Sequence, residues 1–317
     1  PPPAAAAPEL VGSVTTSGTY VGGLIGSHEG GPTISNATAT GDVSTAGDSV
    51  GGLVGRTRAS ITDATASGEV TTNGQRVGGL VGYLDAHSDE EVRTVTATGN
   101  VSAGGQYVGG LIGYVDRSGT NAQYHEVAMS DAHATGNVTT TYAGASNAYV
   151  GGLVGRFRDS KHVSDVSATG DVTSESGNEV GGLIGRLRQD STAYDLRNAS
   201  ATGDVTTTGQ KVGGLIGYHT GGSVETSYAR GNVSTDGDYV GGLIGQSTNL
   251  VADSYARGDV TSSGDEVGGL VGRHDDEATR VYASGRGKGG SSVGGLVGNN
   301  NGGTLSDAYW DRGRTNQ

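Results

Sequence analysis

Val50-Gly51-Gly52-Leu53-Val54-Gly55 is one of ten near-identical hexapeptides in this chain. The others begin at Val21, Val77, Val108, Val150, Val180, Val212, Val240, Val267 and Val293, at intervals of 26 to 42 residues. About seven residues before each comes a second string, Gly-(Asp/Asn/Glu)-Val-(Ser/Thr), as in Gly41-Asp42-Val43-Ser44, Gly99-Asn100-Val101-Ser102 and Gly203-Asp204-Val205-Thr206. A third precedes that one, as in Thr38-Ala39-Thr40 and Ser167-Ala168-Thr169. Each repeat thus holds three short β-prone runs parted by Gly and polar turns, too short and too rich in Val and Thr for helices. One such unit cannot bury a face alone, but a stack of units can. The expected fold is all-β: a β-solenoid (β-helix) of about ten coils, three short strands per coil, with sheets running along the axis. At about 4.8 Å per coil the rod is roughly 50 Å long.

Alternation assigns the faces. Val43 points inward between Asp42 and Ser44, and Ala39 points inward between two Thr. The hexapeptide does not alternate, because Leu24 and Ile25 would face opposite sides of a flat strand. A bulge or corner is expected there, a common use of Gly in strands. A propeller needs four strands and about 40 residues per blade, and fits less well.

Composition agrees with a packed repeat. Gly is 61 of 317 residues, far above the usual share of about 7%, yet Gly-X-Y periodicity is missing. The regular Val, Leu and Ile spacing argues against disorder. The net charge of −13 disfavours nucleic acid, which needs a basic stripe, and anionic membranes. Arg outnumbers Lys 17 to 3, and a surface so acidic suits very high salt. No Cys occurs, so no disulfide framework or thiolate site is expected. No run of 18 apolar residues is present, so no membrane insertion is expected. No leader opens the chain, so an exported protein would be a mature form or a piece. The domain reading is a Pro/Ala-rich tether over residues 1–10, a single solenoid over 11–311 and a tail over 312–317.

The hexapeptide together with the Gly-(Asp/Asn)-Val string resembles the GLUG repeat. The ending Ser306-Asp307-Ala308-Tyr309-Trp310-Asp311 is similar to the Tyr-Trp-Asp sequence that often closes such arrays. The resemblance spans residues 12 to 311. It implies an extracellular repeat scaffold of the kind found in bacterial and archaeal surface and secreted proteins, including large adhesins and immunoglobulin-A peptidases. It carries over no catalytic residue, since the repeats are not the peptidase part of those proteins.

Few residues suggest chemistry. His28, His87, His125, His133, His162, His219 and His274 lie singly and read as solvated loop residues, without zinc-ligand spacing. Asp275-Asp276-Glu277 lacks calcium-loop spacing. No cofactor, metal or catalytic residue is expected. Asp42, Glu69, Asp171, Asp204 and Asp259 share one repeat position with Asn100, Asn137 and Asn232. Stacked, they form either a weak cation ladder or a polar corner that tolerates Asp and Asn. Sequons for N-glycosylation begin at Asn36, Asn100, Asn137, Asn198 and Asn232.

Two surfaces stand out for partners. The interval from Val108 to Val150 carries two enlarged loops, around Asp116 to Met129 and Thr139 to Asn147. These loops are read as holding Met129 and the candidate recognition residues Tyr114, Tyr124, His125, Tyr142 and Tyr149, since long loops on rigid scaffolds often carry function. The outward face of the third run changes from Thr38/Thr40, Thr65/Ser67 and Thr96/Thr98 to Tyr228/Arg230, Tyr255/Arg257 and Tyr282, ending near Tyr309 and Trp310. That late face has interface composition. The function expected is a non-enzymatic extracellular structural or adhesive scaffold whose partners are cell-surface proteins, glycans or further copies of itself. Exposed strand edges at its ends would allow head-to-tail stacking into a filament. A β-helix enzyme acting on polysaccharide, or a receptor-binding fibre of a virus or cell, is the alternative.

Overall fold

The computed structural model describes residues 9–10, 12–117, 126–142, 144, 148–158, 160–189 and 194–312. Every regular element among them is a β-strand. In the first coil the chain runs through Val14–Thr16, Tyr20–Gly22, Ile25–His28 and Ile34–Ala39. These belong to sheets 1, 2, 3 and 4, and sheet 4 begins one strand earlier with Glu9–Leu10. Each strand pairs in parallel with its equivalent one coil on, as Val14↔Val43, Val21↔Val50, Ile25↔Val54 and Ile34↔Ile61 do. Sheets 1 to 3 have ten strands each and sheet 4 has thirteen. The stack is the β-solenoid of ten coils that the repeat implies. A coil carries four hydrogen-bonded strands because the corner in Val-Gly-Gly-Leu divides the hexapeptide between sheets 2 and 3.

The glycines make that corner possible. A Cβ on Gly51 would lie 2.2 Å from the Val54 carbonyl oxygen, and one on Gly52 would lie 2.1 Å from that of Gly79. Only Gly allows backbone to approach backbone so closely. The same Gly52 position faces the Ala66 methyl at 3.2 Å. Small Ala on sheet 4 and Gly at the corner are thus two halves of one contact, repeated along the rod. The corner also splits the interior into two columns. Val43, Val70 and Val101 of sheet 1 pack with Val50, Val77 and Val108 of sheet 2. Leu53, Val54, Leu80 and Val81 pack with Ile61, Ala64 and Ala66 of sheet 4. All of these are buried, and their removal from water is the main stabilising term.

Side chains tie the coils together along the axis. Oδ1 of Asp42 accepts the backbone N–H of Glu69 at 2.8 Å, and Oδ1 of Asn100 accepts that of Asn137 at 2.9 Å. Asn137, Asp171, Asp204, Asn232 and Asp259 repeat the bond to Asp171, Asp204, Asn232, Asp259 and Arg286. The position needs one oxygen at the γ branch, which Asp and Asn supply equally. The expected polar corner therefore has a definite task, and no group of His and carboxylates among the described residues is arranged to hold a metal. A second ladder runs through sheet 4. Asn36, Asp63, Asp131, Asp165, Asn198, Asp253 and Asp307 all have φ between 48° and 56°. Each is skipped in the pairing, as Asn36 is between Ser35↔Thr62 and Ala37↔Ala64. Asn and Asp tolerate this left-handed backbone better than most residues. The bulge turns Ile34, Ala37 and Ala39 all inward.

Candidate contact surfaces

Outside the corner, side chains of sheets 2 and 3 meet in one column. Tyr107 of sheet 2 stacks on Tyr114 of sheet 3 with ring centroids 4.6 Å apart, and on Tyr149 of the next coil at 5.2 Å. Tyr83 stacks on Tyr114 at 5.5 Å. Cations cover the remaining faces. Arg76 lies 4.9 Å from the centre of the Tyr83 ring, and Arg156 lies 5.5 Å from that of Tyr114 and 5.0 Å from that of Tyr149. Arg186 and Lys211 approach Tyr218 at 5.0 and 4.3 Å. Such cation–π contacts strengthen as water is excluded.

Carboxylates complete the column. Asp85 is buried and accepts from Arg56 at 2.5 Å and from Arg58 at 2.9 Å. Glu179, also buried, lies 3.5 Å from Arg186 and 3.6 Å from Lys211. Burial pushes the Glu179 carboxyl above its ordinary range against the pull of those two cations. Burial likewise raises the Tyr83 and Tyr114 phenols. This spine fastens sheet 2 to sheet 3 and engages Arg56, Arg58, Arg76, Arg156 and Arg186.

Two of the residues expected in recognition loops belong to this spine. Tyr114 and Tyr149 are strand residues only 6% and 7% exposed, so they are packing residues of the corner and not loop contacts. Their place in the sequence suggested loops because one enlarged loop begins just after Tyr114 and the other ends just before Tyr149. Tyr142 is half-buried against the Val column, and its hydroxyl accepts from Gln106 at 2.8 Å. Tyr124 and His125 lie outside the described residues.

The late face of sheet 4 is a different surface. Tyr228, Tyr255, Tyr282 and Tyr309 pair in register on consecutive coils. Tyr228 and Tyr255 stack at 5.1 Å with planes 5° apart. Arg230 covers Tyr228 at 4.8 Å and Arg257 covers Tyr255 at 5.0 Å. Arg230 also donates to the Tyr255 hydroxyl at 3.3 Å. Exposure rises along the row, from 37% at Tyr282 to 62% at Tyr309. Trp310 occupies the position held by Ala283 one coil earlier, and its indole lies over Gly295.

The histidines require a correction. His219 and His274 are not solvated loop residues but fully buried on sheet 3. They replace Leu187 and Phe157, which fill the same inward position in earlier coils. His28, His133 and His162 also lie in strands, and only His87 of the described histidines lies between them. His219 shares a hydrogen bond of 3.0 Å with the Ser247 hydroxyl. Its burial, with the charge of His274 adding to it, lowers its pKa from 6.5 to about 4. The folded protein therefore holds His219 neutral while the unfolded chain takes up a proton below about pH 6.5. Stability contributed by this group is complete above pH 6.5, falls as pH drops toward 4 and levels off below it. The expected loss across that window is on the order of 3 kcal/mol. His219→Leu should flatten this part of the profile, read as the difference between variant and parent in urea melts from pH 7 to 4. Equal slopes for the two proteins would refute the assignment.

The sequence is also similar to known proteins. The family description "The GLUG motif" matches residues 17–44, 46–71 and 208–234. Halomucin of Haloquadratum walsbyi (strain DSM 16790 / HBSQ001) is 68% identical over 195 residues, which is 60% of this chain. The chain spans 2% of the length of that relative. No solved structure matches the chain.

Proposed function

We propose that this GLUG-motif solenoid is a non-enzymatic structural or adhesive scaffold displayed outside the cell in strong brine. The observation that carries the reading is the in-register stacking of ten coils into four continuous parallel sheets with an Asp/Asn ladder facing outward. Stacked carboxylates about 5 Å apart repel, and salt screens them. The net charge of −13 keeps such a rod hydrated and soluble where salt is abundant. Likeness to halomucin from a haloarchaeon supports the same habitat and an extracellular setting. On this reading the late Tyr/Arg row is the contact face, because its cations stand against the acidic surfaces of cells and other rods.

The test has two arms. Labelled protein in molar NaCl should be retained on haloarchaeal cells, and the double variant Tyr255→Ala, Arg257→Ala should lose most of that retention. Pure protein incubated with a panel of acidic and neutral glycans should release no product. Hydrolysis of any of them would overturn the scaffold reading in favour of a β-helix enzyme. Undiminished retention of the double variant would remove the contact face.

A further inference from the structure

We propose that Asn100, Asn137 and Asn232 are N-glycosylation acceptors, presented by the same oxygen ladder that ties the coils together. Each opens an Asn-Val-(Ser/Thr) sequon at the start of a sheet 1 strand. The central Val101, Val138 and Val233 point into the core. Asn and the hydroxyl residue two positions on therefore share the outer face, as strand alternation requires. Asn137 and Asn232 are exposed, as are Thr139 and Ser234, while Asn100 is exposed with Ser102 half-buried.

The ladder divides the work of the side-chain amide. Oδ1 of Asn100, Asn137 and Asn232 accepts the backbone N–H of the next coil, each at 2.9 Å. Asp171, Asp204 and Asp259 perform the same bond with no amide nitrogen at all. The fold therefore uses only the oxygen, and Nδ2 of the three Asn has no hydrogen bond among the described residues. Asn198, in the left-handed ladder of sheet 4, differs: its Nδ2 donates to Asp165 at 3.2 Å.

Modification at the sheet 1 sites leaves the ladder intact. Nδ2 forms a bond to C1 of a sugar carried on a lipid phosphate, and the C1–O bond to that phosphate breaks. The lipid phosphate leaves with the bonding pair, and Nδ2 gives up one proton and keeps the other. Oδ1 remains an acceptor for the next coil. The required donor is a lipid-linked saccharide on the exporting side of a membrane. The inference goes beyond the scaffold reading and does not depend on what the rod contacts.

The isosteric pair Asp and Asn allows a test in both directions. The full chain is secreted from an archaeal host that N-glycosylates a reference sequon protein made in the same cells. Intact mass and glycopeptide mapping should find glycan at Asn100, Asn137 and Asn232. Asn137→Asp should remove one glycan, and Asp204→Asn, which creates a new Asn-Val-Thr sequon at an equivalent coil, should add one. Thermal melts of both variants should match the parent, showing that the ladder bond survives. An unmodified polypeptide mass beside a modified reference protein would overturn the proposal. So would glycan confined to Asn36 or Asn198, or an unmodified Asp204→Asn variant.

Discussion

Replacing Gly152 by alanine is expected to remove at least ~3 kcal/mol of stability and to split the rod into two weakly coupled halves. The added methyl would sit 2.2 Å from the Gly182 carbonyl oxygen and 2.9 Å from the Ala168 side chain. Both are fixed by the stacked sheets, so relief requires the corners of adjacent coils to move apart. The glycine sits where sheets 2, 3 and 4 converge, and such a shift opens both Val and Leu columns at once. Gly18→Ala is the matched control, because the nearest atoms to its new methyl lie at 3.7 and 3.9 Å. Denaturant titration in high salt should separate the two variants clearly. Equal midpoints would refute the close-approach account of the hexapeptide.

Phe157→Ala should be nearly as damaging, at about 4 kcal/mol. This Phe is completely buried on sheet 3, between Val115 and Leu187 of the flanking coils. It faces the core that also holds Met129 and Val163 of sheet 4. The smaller Val115 leaves room for the ring on one side, and truncation leaves a void that backbone-paired coils cannot collapse around. Phe157→Leu, which restores the residue type of the next coil, should lose only about 1 kcal/mol. Near-equal losses for Ala and Leu would mean that the site relaxes and that the column is not rigidly packed.

These two positions show where the sequence was legible and where it was not. Val43 and Ala39 could be assigned inward by simple alternation, because the strands of sheet 1 and the end of sheet 4 keep a period of two. Repetition supplied the coil count and the parallel stacking. Sheet 3 was harder. The residue after the last hexapeptide glycine points out, as Arg56, Tyr83 and Tyr114 do, and the following one points in. Phase therefore shifts within a few residues, and the inward column that includes His219 and His274 looked like polar loop.

The left-handed ladder had left a trace in the recurrence of Asn or Asp three residues before an inward Ala, at Asn36, Asp63, Asp131, Asp165 and Asn198. That recurrence marks the αL residue of sheet 4, and the later coils add a second just before the hexapeptide, at Lys211, Tyr239, Glu266 and Ser292. The Tyr/Arg spine was written on both flanks of the hexapeptide, in Tyr20, Arg76, Tyr107 and Tyr149 before it and Arg56, Tyr83, Tyr114 and Arg156 after it. Those flanks are seven residues apart along the chain, and only the fold of the corner brings them together. The Tyr228 to Tyr309 row could be read directly because its members hold one register position on one sheet.

Because the strand ladders and the Asp/Asn bonds both run along the axis, each coil is held mainly by the coils above and below it. A rod pulled at its two ends therefore bears the load in series, and the weakest junction yields first. A coil of 27 residues advances the rod by only about 4.8 Å while folded. Peeled away and drawn out, the same residues span roughly 90 Å. One failed coil thus releases nearly twenty times its own length as slack, and tension on the remaining coils drops before a second gives way. A tether made this way would yield to shear in small steps, and could rewind when the pull ends because neighbouring coils offer a template in the right register.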